Sequence, residues 1–273
     1  MKHSQKPPAA GGYDPTFFRE LVEIEERHFW FRSRNRLIRE FARKICSRFA
    51  PGALALEVGC GTGNVLRVLC EACSEGSVVG MELWLDGLRI ARGRSPALLV
   101  QGDVRTDPFG RRFDLIGMFD VLEHISEETE TLLALRDLLS PEGRLMLTVP
   151  AHQSLWSYFD EAAFHCRRYA PNELRRKLID AGFEVEFLSQ FMASLFPVIW
   201  LVRKARGLAK QNQDNTSAKQ LADKEFQIVP ILNGLFAMIL NLEVRWLSSG
   251  RRLPIGTSII AVARRLPEIK GAP

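Results

Sequence analysis

Between Pro15 and Phe49 the apolar residues fall at Phe17, Phe18, Leu21, Ile24, Phe29, Trp30, Phe31, Leu37, Ile38, Phe41 and Ile45. That is the period of amphipathic helix. The pattern then changes. A short apolar run, Leu54 to Leu56, leads through Glu57 and Val58 into glycines at alternate positions, Gly59, Gly61 and Gly63. Helical spacing resumes at Val65, Leu66, Val68 and Leu69. This reads as strand, tight turn, helix. The same alternation continues down the chain. Strands are predicted at Ser77–Met81, Leu98–Gln101, Phe113–Phe119, Arg144–Val149 and Phe183–Leu188. Helices are predicted at Leu85–Arg92, Glu128–Leu139 and Pro171–Ala181, the last closed by Gly182. Pro141-Glu142-Gly143 is read as a turn, and Thr257–Arg264 as the last strand. Repeated strand–helix order predicts an α/β fold with a seven-stranded, parallel, doubly wound sheet and right-handed crossovers.

Strands six and seven are separated by far more chain than a turn needs. The interval holds two apolar runs, Phe191–Val202 and Phe226–Leu242, joined by a polar linker at Lys210–Lys224. Both runs fall short of the roughly 20 apolar residues that cross a bilayer as a helix. They are read as a helical insertion. The expected organisation is a disordered tail at 1–12, an N-terminal helical lid at 13–50, a ligand-binding core at 51–190, a helical cap at 191–253 and a last core strand at 254–266.

The glycine-rich turn carries the first chemistry. Glycines permit positive φ and let backbone N–H groups approach a ligand closely, and the helix behind them offers unpaired donors. A nucleotide-like ligand suits such a turn at the carboxyl end of a parallel strand. The spacing Gly59-Cys60-Gly61-Thr62-Gly63 differs from the G-x-G-x-x-G of dinucleotide sites. Glu82 ends the second strand, where a carboxylate accepts hydrogen bonds from ribose hydroxyls. With Glu57 ahead of the glycines, E-x-G-x-G-x-G resembles motif I of the class I S-adenosylmethionine (SAM) methyltransferases, which implies a Rossmann-like class I methyltransferase fold.

The resemblance implies a turn that hugs the methionine and ribose of SAM, an Asp103 facing the adenine amino group, and an arginine of the lid on the methionine carboxylate. The implied cofactor contacts are Trp30, Arg34, Glu57, Gly59, Cys60, Gly61, Thr62, Gly63, Glu82, Leu83, Gly102, Asp103, Val104, Phe119, Asp120 and Val121. Enzymes that methylate base amino groups carry [D/N]-P-P-[Y/F] after strand four. This chain has Asp120-Val121-Leu122, which argues against that chemistry. HFWFRSRNRLI, LEVGCGTG, FDVLEHI, LTVPAHQSLWSYFD and HCRRY look like a bacterial type 11/12 methyltransferase group. Asp120-Val121-Leu122-Glu123-His124 is also similar to quinone-precursor O-methyltransferases, where E-x-x-E-H holds magnesium. Here Asp stands first, and no metal is expected.

Pro150–Tyr169 follows a central strand and is rich in functional side chains. Substrates of open α/β sheets bind at that end. The candidate bases are His124, His152, Asp160 and His165. His165, with Asp160 five residues before it, is preferred as base or acceptor ligand, and His124 is expected to shape the donor pocket.

Composition adjusts this picture at its edges. The 273 residues are 46% hydrophobic, enough for one sizeable core. A net charge of +5 and a pI near 9.1 come largely from dispersed arginines. No nucleic acid partner is expected, and an anionic membrane surface suits the charge better. The five cysteines include a lone C-x-x-C, Cys70 and Cys73, with no second pair for a zinc site. Ordinary thiols are therefore expected. Residues 1–12 lack an apolar signal core, so a cytoplasmic protein, peripheral on the inner membrane face, is expected. The function read from these features is SAM-dependent methyl transfer by in-line displacement to a small or hydrophobic acceptor, lipid-linked or quinone/phenol-like, at oxygen. A non-catalytic SAM-binding or membrane-associated protein and a nicotinamide oxidoreductase are the alternatives.

Overall fold

The computed structural model of the protein describes residues 17–201 and 230–267. Its centre is a seven-stranded sheet in the order β3-β2-β1-β4-β5-β7-β6. The strands are β1 (Leu54–Val58), β2 (Ser77–Glu82), β3 (Leu98–Gln101), β4 (Phe113–Phe119), β5 (Leu139–Pro150), β6 (Phe183–Phe191) and β7 (Ser258–Arg265). β1 to β5 pair in parallel. β7 runs antiparallel between β5 and β6. The doubly wound sheet expected from the alternation and the Rossmann-like fold implied by the resemblance are present, but the expectation of a parallel sheet fails at β7: the chain re-enters the sheet at the end where β6 leaves it, with Ser258 beside Phe191, and so runs back antiparallel.

Eight helices are labelled here: α1 (Phe17–Arg27), α2 (Phe29–Cys46), α3 (Asn64–Ala72), α4 (Leu85–Ala91), α5 (Glu128–Leu138), α6 (Tyr158–Ala162), α7 (Pro171–Asp180) and α8 (Pro230–Ser248). The sheet is covered on both faces. α5 and α7 bury Leu132, Leu135, Leu174 and Leu178 on one side, with Phe113, Ile116 and Leu145 of the sheet. On the other, α2, α3 and α8 contribute Leu37, Ile38, Leu66, Leu69, Leu240 and Val244 against Leu115 and Ile260. Local signals place the ends. α7 has Pro171 at its start, where a missing N–H costs nothing, and Gly182 at φ 86° past its end.

Most element ends fall within a residue of the sequence reading, and three boundaries differ by more. β5 begins at Leu139, so the predicted turn at Pro141-Glu142-Gly143 lies inside the strand. Those residues are absorbed by an irregularity, since the β4 register steps from Phe113↔Leu139 to Leu115↔Arg144. β6 continues to Phe191, taking the first residue assigned to the insertion. α8 runs on to Ser248 because Val244 and Leu247 keep the buried spacing. α8 packs along α2, so lid and insertion form one continuous layer. Asn233 joins them: its Oδ1 accepts from Phe29 N at 2.7 Å, and its Nδ2 donates to Arg27 O at 2.9 Å. The tail, the linker and Arg203, Lys204, Arg206 and Lys210 lie outside the described residues. Among the described residues no helix is long and apolar enough to cross a membrane.

The expectation of ordinary thiols fails for two cysteines. Cys46, closing α2, and Cys73, just past α3, form a disulfide with Cα atoms 5.5 Å apart. C-x-x-C spacing drew attention to Cys70, but tertiary packing of two helix ends made the pair. Cys60, Cys70 and Cys166 are free.

Candidate functional site

A cavity of about 910 Å³ opens at the carboxyl ends of β1, β2 and β4, beneath α1 and α2. Its floor is the glycine turn. Gly59, Gly61 and Gly63 all have positive φ. A Cβ on Gly59 would stand 2.5 Å from Val121 Cγ2, so the turn closes only with glycine there. Gly63 faces away from the cavity lining. It precedes α3 and packs against Ala91.

Two carboxylates organise the donor end. Glu82 accepts from Gly61 N at 2.9 Å and Trp84 N at 3.1 Å, so it braces the glycine turn. Burial raises its pKa and these backbone donors oppose the rise. Glu57 is buried, and its Oε2 has no protein partner. Burial pushes its carboxyl well up, with the nearby Arg34 charge opposing. An orphaned buried oxygen on a cavity wall is costly unless a ligand satisfies it. Arg34 donates to Asp120 Oδ2 at 2.6 Å and to Asn35 Oδ1, with its guanidinium 4.9 Å from the Trp30 ring centroid and 5.3 Å from that of Phe31. Asn35 in turn reaches Asn64 Oδ1 at 3.1 Å, tying α2 to the start of α3. The glycine cradle, the unsatisfied Glu57 oxygen and a buried arginine fit a ligand carrying both an ammonium and a carboxylate, as SAM does.

The remaining donor-end residues are placed as follows. Trp30, Cys60, Thr62, Leu83, Gly102, Asp103, Val104, Phe119, Asp120 and Val121 all line the cavity. Asp103 is held by Arg105, which binds both its oxygens and lowers its pKa. It also caps the next short helical turn through Arg105 N, so the turn-forming and cavity-lining readings coexist. Burial raises the Cys60 thiol far above its usual range.

Sequence reading missed Phe18 and Glu25 of α1. Phe18 covers Gly61 and Gly87. Glu25 accepts from Thr62 Oγ1 at 2.7 Å and pairs with Arg94 at 2.8 Å. The available signal was a carboxylate at a position that continues the apolar stripe Phe18, Leu21 of α1.

The acceptor end is polar. Ser157 and Asp160 make a capping box that starts α6 and fixes the Asp160 carboxylate. Asp160, fully buried, receives His165 Nδ1 at 2.9 Å and Arg168 Nε at 2.6 Å. Burial would raise the Asp160 pKa, but the His165 and Arg168 interactions outweigh it and hold it down. An ionised Asp160 accepts from His165 Nδ1, which fixes the ring with Nε2 4.0 Å from Glu123 Oε1. Glu123 is 1% exposed and its Oε2 has no protein partner. Burial and then the Asp120 charge raise its pKa well above normal. His124 packs edge-on to His165, with ring centroids 4.8 Å apart, and burial holds its pKa down at about 3. His152 lies outside the lining and meets Gln190 Oε1 at 2.5 Å. Asp120, first in the resembled metal triplet, is spent on Arg34. One oxygen of Glu123 and one nitrogen each of His124 and His165 lie within 4.8 Å of one another.

The cavity thus joins a glycine-cradled donor end to a wall bearing an oriented imidazole. A dTDP-3-amino-3,6-dideoxy-alpha-D-glucopyranose N,N-dimethyltransferase of Streptomyces fradiae is 44% identical over 94 residues, 33% of this chain and 36% of that protein. The chain therefore spans about a third of that relative's length. A ubiquinone biosynthesis O-methyltransferase of Xanthomonas axonopodis pv. citri is 25% identical over 166 residues, 53% of this chain and 69% of the relative. A chain from the Haloferax volcanii complex of a methyltransferase with the Trm112 activator superposes with TM-score 0.59 at 15% identity, over 94% of this chain and 97% of its own. Residues 27–187, more than half of the chain, match the family model of the methyltransferase domain, and the chain belongs to this family of S-adenosylmethionine-dependent methyltransferases.

Proposed function

We propose that the protein transfers the methyl group of SAM in line to a hydroxyl oxygen of a small, hydrophobic acceptor, with the Asp160–His165 pair receiving the proton. The observation that carries this reading is the His165 imidazole, fixed at Nδ1 by buried Asp160 and turned with Nε2 toward the cavity wall at Glu123. Glu57 and Arg34 hold the methionine end of the donor, and Glu82 the ribose. Asp103, Gly102 and Val104 flank the adenine. The sulfonium brings its own leaving group, so alignment and exclusion of water do most of the work, worth roughly 7–11 kcal/mol. Proton removal adds about 10²–10⁴-fold.

Buried Glu123, whose Oε2 has no protein partner, is the second hydrogen-bonding group offered to the acceptor. The amino-sugar relative supports nitrogen as the second reading. The aromatic lining from Phe29, Trp30, Phe31 and Phe159 suits a quinone/phenol-like or lipid-linked acceptor met at the inner face of a membrane.

The test is transfer of radiolabelled methyl from SAM to matched hydroxyl and amino acceptors on aromatic, sugar and isoprenoid carriers. Oxygen acceptors are expected to be labelled. His165→Gln should lower kcat by about 10²–10⁴-fold with SAM affinity unchanged, and Asp160→Asn should shift the acidic limb of the pH–rate profile. Labelling of amines alone would replace oxygen with nitrogen. Undiminished kcat in His165→Gln would remove the base.

A further inference from the structure

α8 has two apolar faces. Phe236, Leu240, Val244 and Leu247 turn inward onto the layer shared with α2. Leu232, Leu235, Met238, Leu242 and Trp246 are all exposed. At 100° per residue these five span an arc of about 120°, opposite the buried set. Val198, Trp200 and Leu201 are also exposed. Scattered exposed apolar residues are ordinary, but a contiguous stripe of this kind marks an interaction surface.

Charge identifies the occupant. The acid of α8, Glu243, is turned away and consumed by the backbone N–H groups of Ala193 and Ser194. The charges beside the stripe are basic: Arg245 is exposed, and Arg251 lies 4.4 Å from the Trp246 ring centroid. An apolar stripe edged by arginine and tryptophan, on a helix too short and too mixed to span, has the chemistry of an interfacial helix lying in an anionic leaflet. Position points the same way. Val198 and Ile199 also line the cavity, and Phe236 packs on Phe29 beneath the α1–α2 junction that Asn233 fastens.

We propose that the outer face of α8 docks the protein on an anionic lipid bilayer, with Leu235, Met238 and Leu242 among the acyl chains and Arg245 and Arg251 at the headgroups. The cavity then lies beside the lipid surface, and an acceptor dissolved in the bilayer need not cross water to reach it. This second consequence rests on the hydrophobic-acceptor reading; the docking itself does not.

The experiment is co-sedimentation of the full chain with phosphatidylcholine vesicles prepared with and without phosphatidylglycerol, alongside tryptophan quenching by brominated lipid. Binding is expected only with the anionic lipid, with Trp246 quenched and the signal lost in Trp246→Phe. Leu235→Glu/Leu242→Glu should reduce the bound fraction about tenfold or more. Arg245→Glu/Arg251→Glu should remove the preference for phosphatidylglycerol. SAM affinity by calorimetry should stay unchanged in both, which shows that the variants fold. Wild type remaining in the supernatant with anionic vesicles would overturn the proposal, as would equal binding of wild type and the Leu235→Glu/Leu242→Glu variant. A dimer dispersed by that variant in sedimentation velocity, without vesicle binding, would give the face to a second copy and overturn it too. Vesicle binding is read without turnover, so it stands or falls independently of which acceptor is methylated.

Discussion

Glu82 shows how much one side chain does at this site. Its two oxygens hold Gly61 N and Trp84 N, so it shapes the turn on which the proposed donor site is built. Glu82→Ala is therefore expected to weaken SAM binding by about 1.5–3 kcal/mol, the scale of charged hydrogen bonds. Calorimetry on a folded variant checks it, and unchanged affinity would remove Glu82 from the donor site. His124 sets a pH dependence. Its folded pKa is depressed from 6.5 to about 3 by burial. The unfolded chain takes up a proton as pH falls below 6.5 while the folded chain does not, so this contribution to stability is intact above 6.5 and lost toward 3. Asp160, also held low, acts in the same direction at lower pH. Glu57 and Glu123, held high, act oppositely, costing stability as pH rises above 4.5. The stability–pH slope between 6 and 4 should flatten in His124→Gln; denaturant midpoints across that range measure it. Glu57, Glu82 and the glycines were legible because their spacing is local. The Arg34–Asp120 pair was not, because its partners stand 86 positions apart.

Elements were legible where period and punctuation agreed. β1, β4 and α7 fall within a residue or so of the reading, each framed by glycine, proline or a change of period. β5 was misjudged because Pro141-Glu142-Gly143 has turn chemistry, yet pairing with β4 resumes across it with a register step. The disulfide was invisible because it joins the ends of α2 and α3, helices that only packing brings together. It closes a loop with a separation of 27 residues, for which chain entropy gives about 3.5 kcal/mol. Reductant should lower the melting temperature of the wild type and leave Cys46→Ser/Cys73→Ser, already lower, unaffected. Scanning calorimetry with and without dithiothreitol decides it.

For the whole molecule, strand–helix alternation told of the sheet and its windings, while the meeting of lid and insertion came only with packing. α2 and α8 are separated by most of the chain yet share one hydrophobic layer and the Asn233 clasp. The deepest consequence belongs to β7. It lies between β5 and β6 and pairs with both, so the C-terminal strand of the described sheet is an interior strand. A nascent chain carries two unpaired strand edges until Ser258–Arg265 leaves the ribosome exit tunnel. Core closure thus waits for β7, and aggregation competes with it until that strand has emerged. A stop codon after Ile255 should give chains captured by chaperones or found in inclusion bodies, rather than a trimmed soluble enzyme. Limited proteolysis of ribosome-stalled chains should show protection appearing only once β7 has emerged. The proposed donor site is complete in sequence by Val121, but its sheet cannot close until more than half the chain has followed it out.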